Sequence, residues 1–408
     1  MKVVVVGGGL AGLAAALDLV DADHEVTVLE ARPTLGGAVQ TLPEREGDPE
    51  PPPDNGQHIA LGCFTEYLRF LDRVGESGSY LRTRLGLPVI DDGGRFATIA
   101  PSASALLRYA HLPLRERLHL PLTLLRLRSA KPNPSETFGG LLRRLGETSE
   151  SIDRFWDVFI RPALNLPTDE VDAAAGLFTV RRALLGPRRD SDLVLPTRPL
   201  GWMHGEAAGR VLGDRIQLER RVETLDELDA DAIVVAVQPR ESARLLGEPE
   251  PALEDSPIVS VHLWFDQPIL DVPLAALLGT DAHWVFDRGR LLGHAPRGVG
   301  QYLTVVSSGV PELLEVRGRE LVEQIAGQLT ERLGEAELLW SRVSREPYAT
   351  IALRPGVLRP GPETSRSNVA RAGAWTDTGW PATMESAIRS GRAAAQHIMS
   401  GQSARVTA

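Results

Sequence analysis

Four consecutive valines, Val3 to Val6, run straight into Gly7-Gly8-Gly9-Leu10-Ala11-Gly12, and that junction limits the fold more than any other stretch of the chain. An unbroken β-branched run with no polar alternation predicts a strand buried on both faces of a parallel sheet. In the G-x-G-x-x-G spacing, Gly7 permits the tight turn, Gly9 lets backbone approach a pyrophosphate, and Gly12 lets the following helix pack on the sheet. That helix, Leu10 to Val20, offers the N–H groups of its first turn, at Leu10 and Ala11, and the positive end of its dipole to an anion. Glu25 to Leu29 reads as a second strand, and Glu30 at its end stands where an acid accepts hydrogen bonds from an adenosine ribose. A secretory signal peptide would also put Lys2 before an apolar run and Ala14-Ala15-Ala16 behind it. It requires neither the spaced glycines nor a second strand ending in an acid.

The 408 residues suffice for two or three packed domains. Cys63 is the only cysteine, which rules out an intrachain disulfide and a thiolate metal cluster, and no metal site is expected. A net charge of −10 argues against a nucleic-acid partner. No apolar run approaches the roughly 20 residues that span a bilayer, so membrane contact would have to be peripheral. Arg95 to Lys131 is the segment with that character, since leucines from Leu106 to Leu127 interleave with Arg108, Arg115, Arg117, Arg126 and Arg128. The competing expectation is two ordinary amphipathic helices packed on the body and broken near Pro113 and Pro121.

After Glu30, the paired glycines Gly36-Gly37, followed by Ala38, allow backbone to approach a flat ring or phosphate, and Arg32 can pair with a pyrophosphate. Glu44 to Pro53 reads as an exposed loop. Asp54-Asn55-Gly56-Gln57-His58 then puts four polar side chains beside a strand start, where Asp, Gln and His together can hold a proton network; a hydrogen-bonded turn explains them equally well. Residues 64 to 195 are mostly helical in pattern, for example Thr65 to Arg73 and Phe138 to Leu145, with Phe155, Trp156 and Phe159 as core. Leu200 to His204 opens a helix, Ile216 to Thr224 reads as strands around Val222, and Ala230 to Val237 is another buried parallel strand. The block between is therefore an insertion. Ser256 to Phe265 alternates, with Ile258, Ser260, His262 and Trp264 on one face and Val259, Val261, Leu263 and Phe265 on the other. Trp284 to Asp287 and Tyr302 to Ser307 look like its antiparallel partners, and His262 reads as structural. Asn368 to Ala387 passes from a strand through a turn into a helix running to about Ile398, capped at Thr383, whose positive end faces an anion.

With these motifs in hand, the chain resembles the flavin-containing amine oxidase and phytoene desaturase superfamily. Within it, Asp54 to His58, Ser256 to Phe265, Trp284-Val-Phe-Asp-Arg-Gly289 and Trp375-Thr-Asp-Thr-Gly-Trp-Pro381 are similar to the squalene-associated FAD-dependent desaturases, better described as hydroxysqualene dehydroxylases. The resemblance covers nearly the whole chain. It implies an α/β fold: a Rossmann-like FAD-binding domain carrying an inserted substrate domain of antiparallel sheet plus helices. The expected FAD domain is residues 1–62, 196–250 and 345–400, the substrate domain 63–195 and 251–344, and the tail 401–408. FAD would lie extended, with Gly7, Gly9, Gly12, Glu30 and Arg32 on the ADP half, Val222 near the adenine, and Gly36, Gly37, Ala38, Gly373, Thr383 and Met384 on the flavin half. An anionic reduced flavin suits the helix end at Thr383. Relatives carry an acid after the glycine equivalent to Gly373; here it is Ala374, so FAD affinity is weakened or another group substitutes.

The family reaction is reductive removal of a hydroxyl from hydroxysqualene to give squalene. It implies an apolar isoprenoid substrate, an electron donor of unknown identity, His58 with Asp54 as the proton-handling pair, Asp377 as a second acid, and Trp264, Trp284 or Trp380 facing cationic character in the substrate pocket. A polyene desaturase running the flavin in the oxidising direction is the rival. Amine oxidation is disfavoured because a lysine often stands beside the flavin N5 and this chain has only Lys2, expected buried on the first strand, and Lys131. A prenyl-binding protein of the same architecture without flavin chemistry is the non-enzymatic alternative. The location implied is cytoplasmic, with peripheral contact at the inner face of the membrane left open.

Overall fold

The structure is a computed structural model that describes residues 1–293 and 300–406. The valine run forms the centre of a five-stranded, all-parallel sheet in the order Val369–Arg371, Ala232–Val235, Lys2–Val6, Glu25–Leu29, Ile216–Gln217. Alternate valines serve different cores, which explains the unbroken apolar run. Val3 and Val5 pack with the helices Leu10–Asp21 and Met384–Val406, whereas Val4 and Val6 pack with Val222, Leu225, Leu245 and Leu246 on the opposite face. All four are at most 5% exposed. Burying each contributes on the order of 1.5–3 kcal/mol, so neither face tolerates a polar substitution.

The second sheet has seven strands in the order Leu338–Ile351, Asp255–Phe265, Gln301–Ser308, Trp284–Asp287, Leu274–Leu277, Leu87–Ile90, Phe96–Ile99, antiparallel except between Leu274–Leu277 and Leu87–Ile90. The alternation read in Ser256 to Phe265 sorts its faces. Val259, Val261, Leu263 and Phe265 join Leu321, Ile325 and Leu329 of the helix Gly318–Leu333 in one core. Ser260, His262 and Trp264 point the other way, and a Cβ on Gly56 would stand 2.9 Å from Ser260 Oγ, so this polar face meets the segment around Asp54. A three-stranded sheet, Ala60–Leu61, Leu193–Pro196 and Tyr80–Thr83, bridges the two bodies.

Several elements depart from the sequence expectations. Leu338–Ile351 is one continuous strand of the second sheet and crosses the expected 344/345 division. Phe64, Tyr67, Phe70 and Leu71 pack in the core of the parallel-sheet body, although residues 63 onward were expected in the substrate domain. Only Ile216–Gln217 of the 216–224 stretch is strand: Glu219 has a φ of +54°, which takes the chain out of the extended conformation, and Val222 then packs in the core below the sheet. Pro121 lies inside the helix Leu114–Leu127 rather than ending it; the preceding turn is held by Arg117 N–H to Pro113 C=O. The last helix continues to Val406, into the expected tail, and residues 407–408 lie outside the described residues. Lys2 is not buried: its ammonium reaches Asp229 at the surface, 2.6 Å away.

Candidate functional site

The glycine turn builds one end of the site. Gly7 has a φ of +108°, and a Cβ on it would stand 2.3 Å from Ala236 O; a Cβ on Gly12 would fall 1.9 Å from Gly7 O. Only glycine lets the helix start this close to the strand. The N-cap, Gly9, has no side-chain cap, and the first turn of the helix holds no acid, so this helix end is open to an external anion. Glu30 folds back over the turn, accepting Gly8 N–H at 2.6 Å and Arg32 N–H at 2.8 Å, and the Arg32 side chain is exposed. The chain beyond Glu30 runs beside residues 219–222: Arg220 N–H donates to Glu30 O, and Glu219 N–H to Arg32 O. Val222 follows there, its carbonyl accepting from Arg244 Nη2.

Gly36 and Gly37 return to the same turn. Gly36 N–H donates to Gly8 O at 2.8 Å, and a Cβ on Gly37 would stand 2.9 Å from Gly9 Cα. Ala38, exposed, leads into a lacing with the polar cluster: Asn55 Nδ2 donates to Ala38 O, Asn55 N–H to Gln40 O, and Thr41 Oγ1 to Asp54 Oδ1. At the far end, Gly373 N–H donates to Ser390 Oγ, and a Cβ on Gly373 would strike the Trp375 ring at 2.3 Å. Thr383 Oγ1 accepts Ser386 N–H, which leaves the Met384 and Glu385 N–H groups of that helix end for another acceptor. One helix end with no side-chain cap, a second whose Thr383 cap leaves two N–H groups open, a cradle of close-packed glycines, and an acid at the end of the second strand fit an extended dinucleotide.

Asp54 is the hub of the buried polar cluster. It is 2% exposed and accepts from Thr41 Oγ1 and Leu200 N–H, each at 2.8 Å, and from Arg288 Nη2. Burial pushes its pKa up, opposed by Arg288, Thr41 and the Leu200 N–H. Arg288, also 2% exposed, reaches Gln57 Oε1 at 3.1 Å as well. Ser260 Oγ, Gln57 Nε2, His262 Nε2 and Tyr302 Oη are buried without a hydrogen-bond partner among the described residues. Such orphaned atoms mark a place where a bound molecule or water completes the network. His262 donates or accepts through Nδ1 with Thr304 Oγ1 at 3.0 Å, and burial lowers its pKa to about 3, so it stays neutral.

His58 has a different setting. Burial lowers its pKa to about 4, yet the residue keeps some accessible surface and its ring forms no hydrogen bond among the described residues. His58 is thus deeply set yet partly accessible, and its ring nitrogens are uncommitted among the described residues. Beside it lies His204, fully buried, its pKa lowered to about 4 by desolvation and further opposed by a charge on His58. His204 Nδ1–H donates to Leu200 O at 2.7 Å, so its Nε2 accepts from Tyr67 Oη at 2.8 Å. Glu385, fully buried, caps the helix that carries Tyr67 by accepting the Glu66 and Tyr67 N–H groups. Arg389 pairs with it.

The structure therefore brings Asp54 and His58 into one region but joins them by no hydrogen bond among the described residues; Asp54 is committed to Arg288. Asp377 is not brought in. Its side chain is 59% exposed, accepts Gly379 N–H in a local turn and pairs with Arg359. The three tryptophans do not share a box. Trp264 stacks on Tyr302, Trp284 stacks on Phe286 within the insertion core, and Trp380 packs among Phe64, Phe178, Arg182 and Arg389. Sequence reading passed over Arg288, Thr41, Tyr67 and His204. Arg288 and His204 stand next to Trp284–Asp287 and Leu200–Met203, but nothing in the sequence pairs them across 234 and 137 residues with Asp54 and Tyr67.

A family model described as flavin containing amine oxidoreductase matches residues 10–399. A hydroxysqualene dehydroxylase of Sinorhizobium fredii is 29% identical, over 97% of this chain and 98% of the relative. A chloroplastic/chromoplastic zeta-carotene desaturase of Arabidopsis thaliana is 25% identical over 98% of this chain and 85% of the relative. Among solved structures, cyclohexylamine oxidase from Brevibacterium oxydans superposes with a TM-score of 0.73 at 19% identity, covering 98% of this chain and 99% of that one.

Proposed function

The chain belongs to the flavin-containing amine oxidoreductases and is an FAD-dependent enzyme, and from that premise we propose that it removes the hydroxyl of hydroxysqualene reductively to give squalene. The observation that carries this reading is the end-to-end likeness to a hydroxysqualene dehydroxylase, at 29% identity over 97% of the chain. Bound FAD, when reduced, supplies a hydride to the carbon from which the hydroxyl leaves, with a proton, as water. Gly7, Gly9, Leu10, Ala11, Gly12, Glu30 and Arg32 would hold the FAD at one end and Gly36, Gly37, Ala38, Gly373, Thr383 and Met384 at the other, and Val222 would stand on the adenine side.

The chain's own part is to bind, dry and protonate. His58 orients the departing hydroxyl and passes it a proton. At neutral pH a pKa of about 4 leaves roughly one His58 in a thousand charged, so this proton transfer depends on a negative charge brought alongside, which raises the pKa. His204 and Tyr67 fix the wall behind His58. Asp54 acts through Arg288, positioning the cationic guanidinium rather than donating its own proton. Trp264, Trp284 and Trp380 take separate parts of an apolar lining rather than forming one cage.

This reading keeps residues 1–62, 196–250 and 345–400 as the FAD-binding portion and the rest as the substrate portion, apart from the shifts at residues 63–74, which join the FAD-binding portion, and 345–351, which join the substrate portion. No helix among the described residues is long and apolar enough to cross a membrane. We assign a cytoplasmic enzyme with peripheral membrane contact, supplied with electrons by a separate donor. Amine oxidation is opposed by the lysines: Lys2 is paired with Asp229 at the surface and Lys131 is exposed. Incubating the chemically reduced enzyme with hydroxysqualene in detergent and identifying products by mass tests the reading; squalene supports it. The likeness to a zeta-carotene desaturase favours polyene desaturation as the second reading, which predicts instead new double bonds in squalene or a carotene precursor with the oxidised enzyme.

A further inference from the structure

The helix Leu114–Leu127 buries Leu120, Thr123 and Leu127 against the insertion core but exposes Leu114, Leu118, Leu122 and Leu125, at 61%, 60%, 42% and 60%. At about 100° per residue these four fall within an arc of roughly 80° on the side opposite the buried face. Arg115 and Arg126 border the arc on one side and Arg128 on the other, all three exposed. The neighbouring helix Ala103–Arg108 adds Leu107, tied in by Arg117 Nη1 to Leu107 O at 3.2 Å, and the adjoining edge strand adds Phe96. Six of the thirteen exposed large apolar residues among those described thus fall between Phe96 and Leu125, which makes this a patch rather than scatter.

We propose that this leucine face, with its arginine borders, seats the enzyme on an anionic bilayer surface. Charge decides the occupant. Residues 103–131 carry six basic side chains and one acid, Glu116, in a chain of net charge −10, so the positive potential is concentrated where the apolar side chains are exposed. That pairing suits acyl chains under anionic headgroups. A second copy docked on the same face would set these arginines against one another. The buried side of the same helix contributes Leu120 and Leu127 to the core that also holds Trp284 and Phe286, so the surface lies directly over the insertion.

The test is flotation of the FAD-loaded enzyme with vesicles, with no substrate present, so failure of the proposed reaction leaves it unaffected. Wild type should float with phosphatidylcholine vesicles containing phosphatidylglycerol and far less with phosphatidylcholine alone. Leu118→Glu/Leu125→Glu should weaken flotation by roughly tenfold or more at unchanged FAD content and unfolding midpoint; if it loses FAD, Leu114→Ser/Leu122→Ser takes its place. Arg115→Gln/Arg126→Gln should remove most of the preference for anionic lipid. Wild type that fails to float overturns the proposal, as does equal flotation of both leucine variants. So does a wild-type dimer that these substitutions dissociate while no vesicle binding is seen.

Discussion

Gly37 approaches Gly9 so closely that a methyl group on Gly37 would stand 2.9 Å from the Gly9 Cα, and this contact joins the two ends of the dinucleotide cradle. Gly37 also has a φ of +61°, where a side chain adds strain of about 1 kcal/mol. Gly37→Ala should therefore lower FAD affinity at least about tenfold while the unfolding midpoint of the apoprotein falls only slightly. Flavin absorbance per protein after gel filtration, and a fluorescence titration with FAD, read the two effects separately.

Arg288 and Asp54 are both 2% exposed, so removing one partner leaves the other buried and uncompensated. Arg288→Met should cost about 3–5 kcal/mol in urea unfolding. Arg288→Met/Asp54→Asn should recover part of that loss, because neither charge is then stranded. Additive losses in the double variant would argue against a direct coupling.

His204 and His262 are held neutral inside, with pKa values lowered from 6.5 to about 4 and about 3. The unfolded chain then binds more protons than the folded one below pH 6.5, so stability is full above that pH and falls as the pH drops toward 4. Each histidine accounts for up to about 3 kcal/mol of this loss at pH 4, at roughly 1.4 kcal/mol per pH unit. His204→Gln should reduce the slope of unfolding free energy against pH by about one proton between pH 4.5 and 6. An unchanged slope would mean that His204 titrates normally.

His58→Ala should lower turnover by about a hundredfold or more with FAD loading intact, in the range expected for a lost proton-transfer group. Asp377→Asn should change turnover less than about twofold, since its carboxylate serves an exposed turn. Full activity in the His58 variant at full FAD loading would remove His58 from the reaction.

The parts of this molecule legible in the sequence are those set by neighbours along the chain. Val3 to Val6 with their glycines, and the alternating strand through Val259 and His262, each carry their burial pattern in a few consecutive residues. Asp54 and His58 were legible as a polar run, but their partners were not. Arg288, Thr41, Tyr67 and the helical segment that carries both Leu200 and His204 are far apart in the chain, and only the packed fold brings them together. Asp377 looked similar to them as a lone acid in a specific motif; its exposed turn depends on Gly379 two residues on, a local bond the motif did not reveal.

The central claim, reductive dehydroxylation, is tested most directly by one anaerobic turnover. Photoreduced enzyme is mixed with hydroxysqualene in detergent, flavin reoxidation is followed by absorbance, and the product is identified by mass. One squalene formed per flavin reoxidised is the predicted result. Reduced flavin that stays inert, with oxidised flavin bleached by squalene or a carotene precursor, would contradict the claim and leave the desaturase in its place.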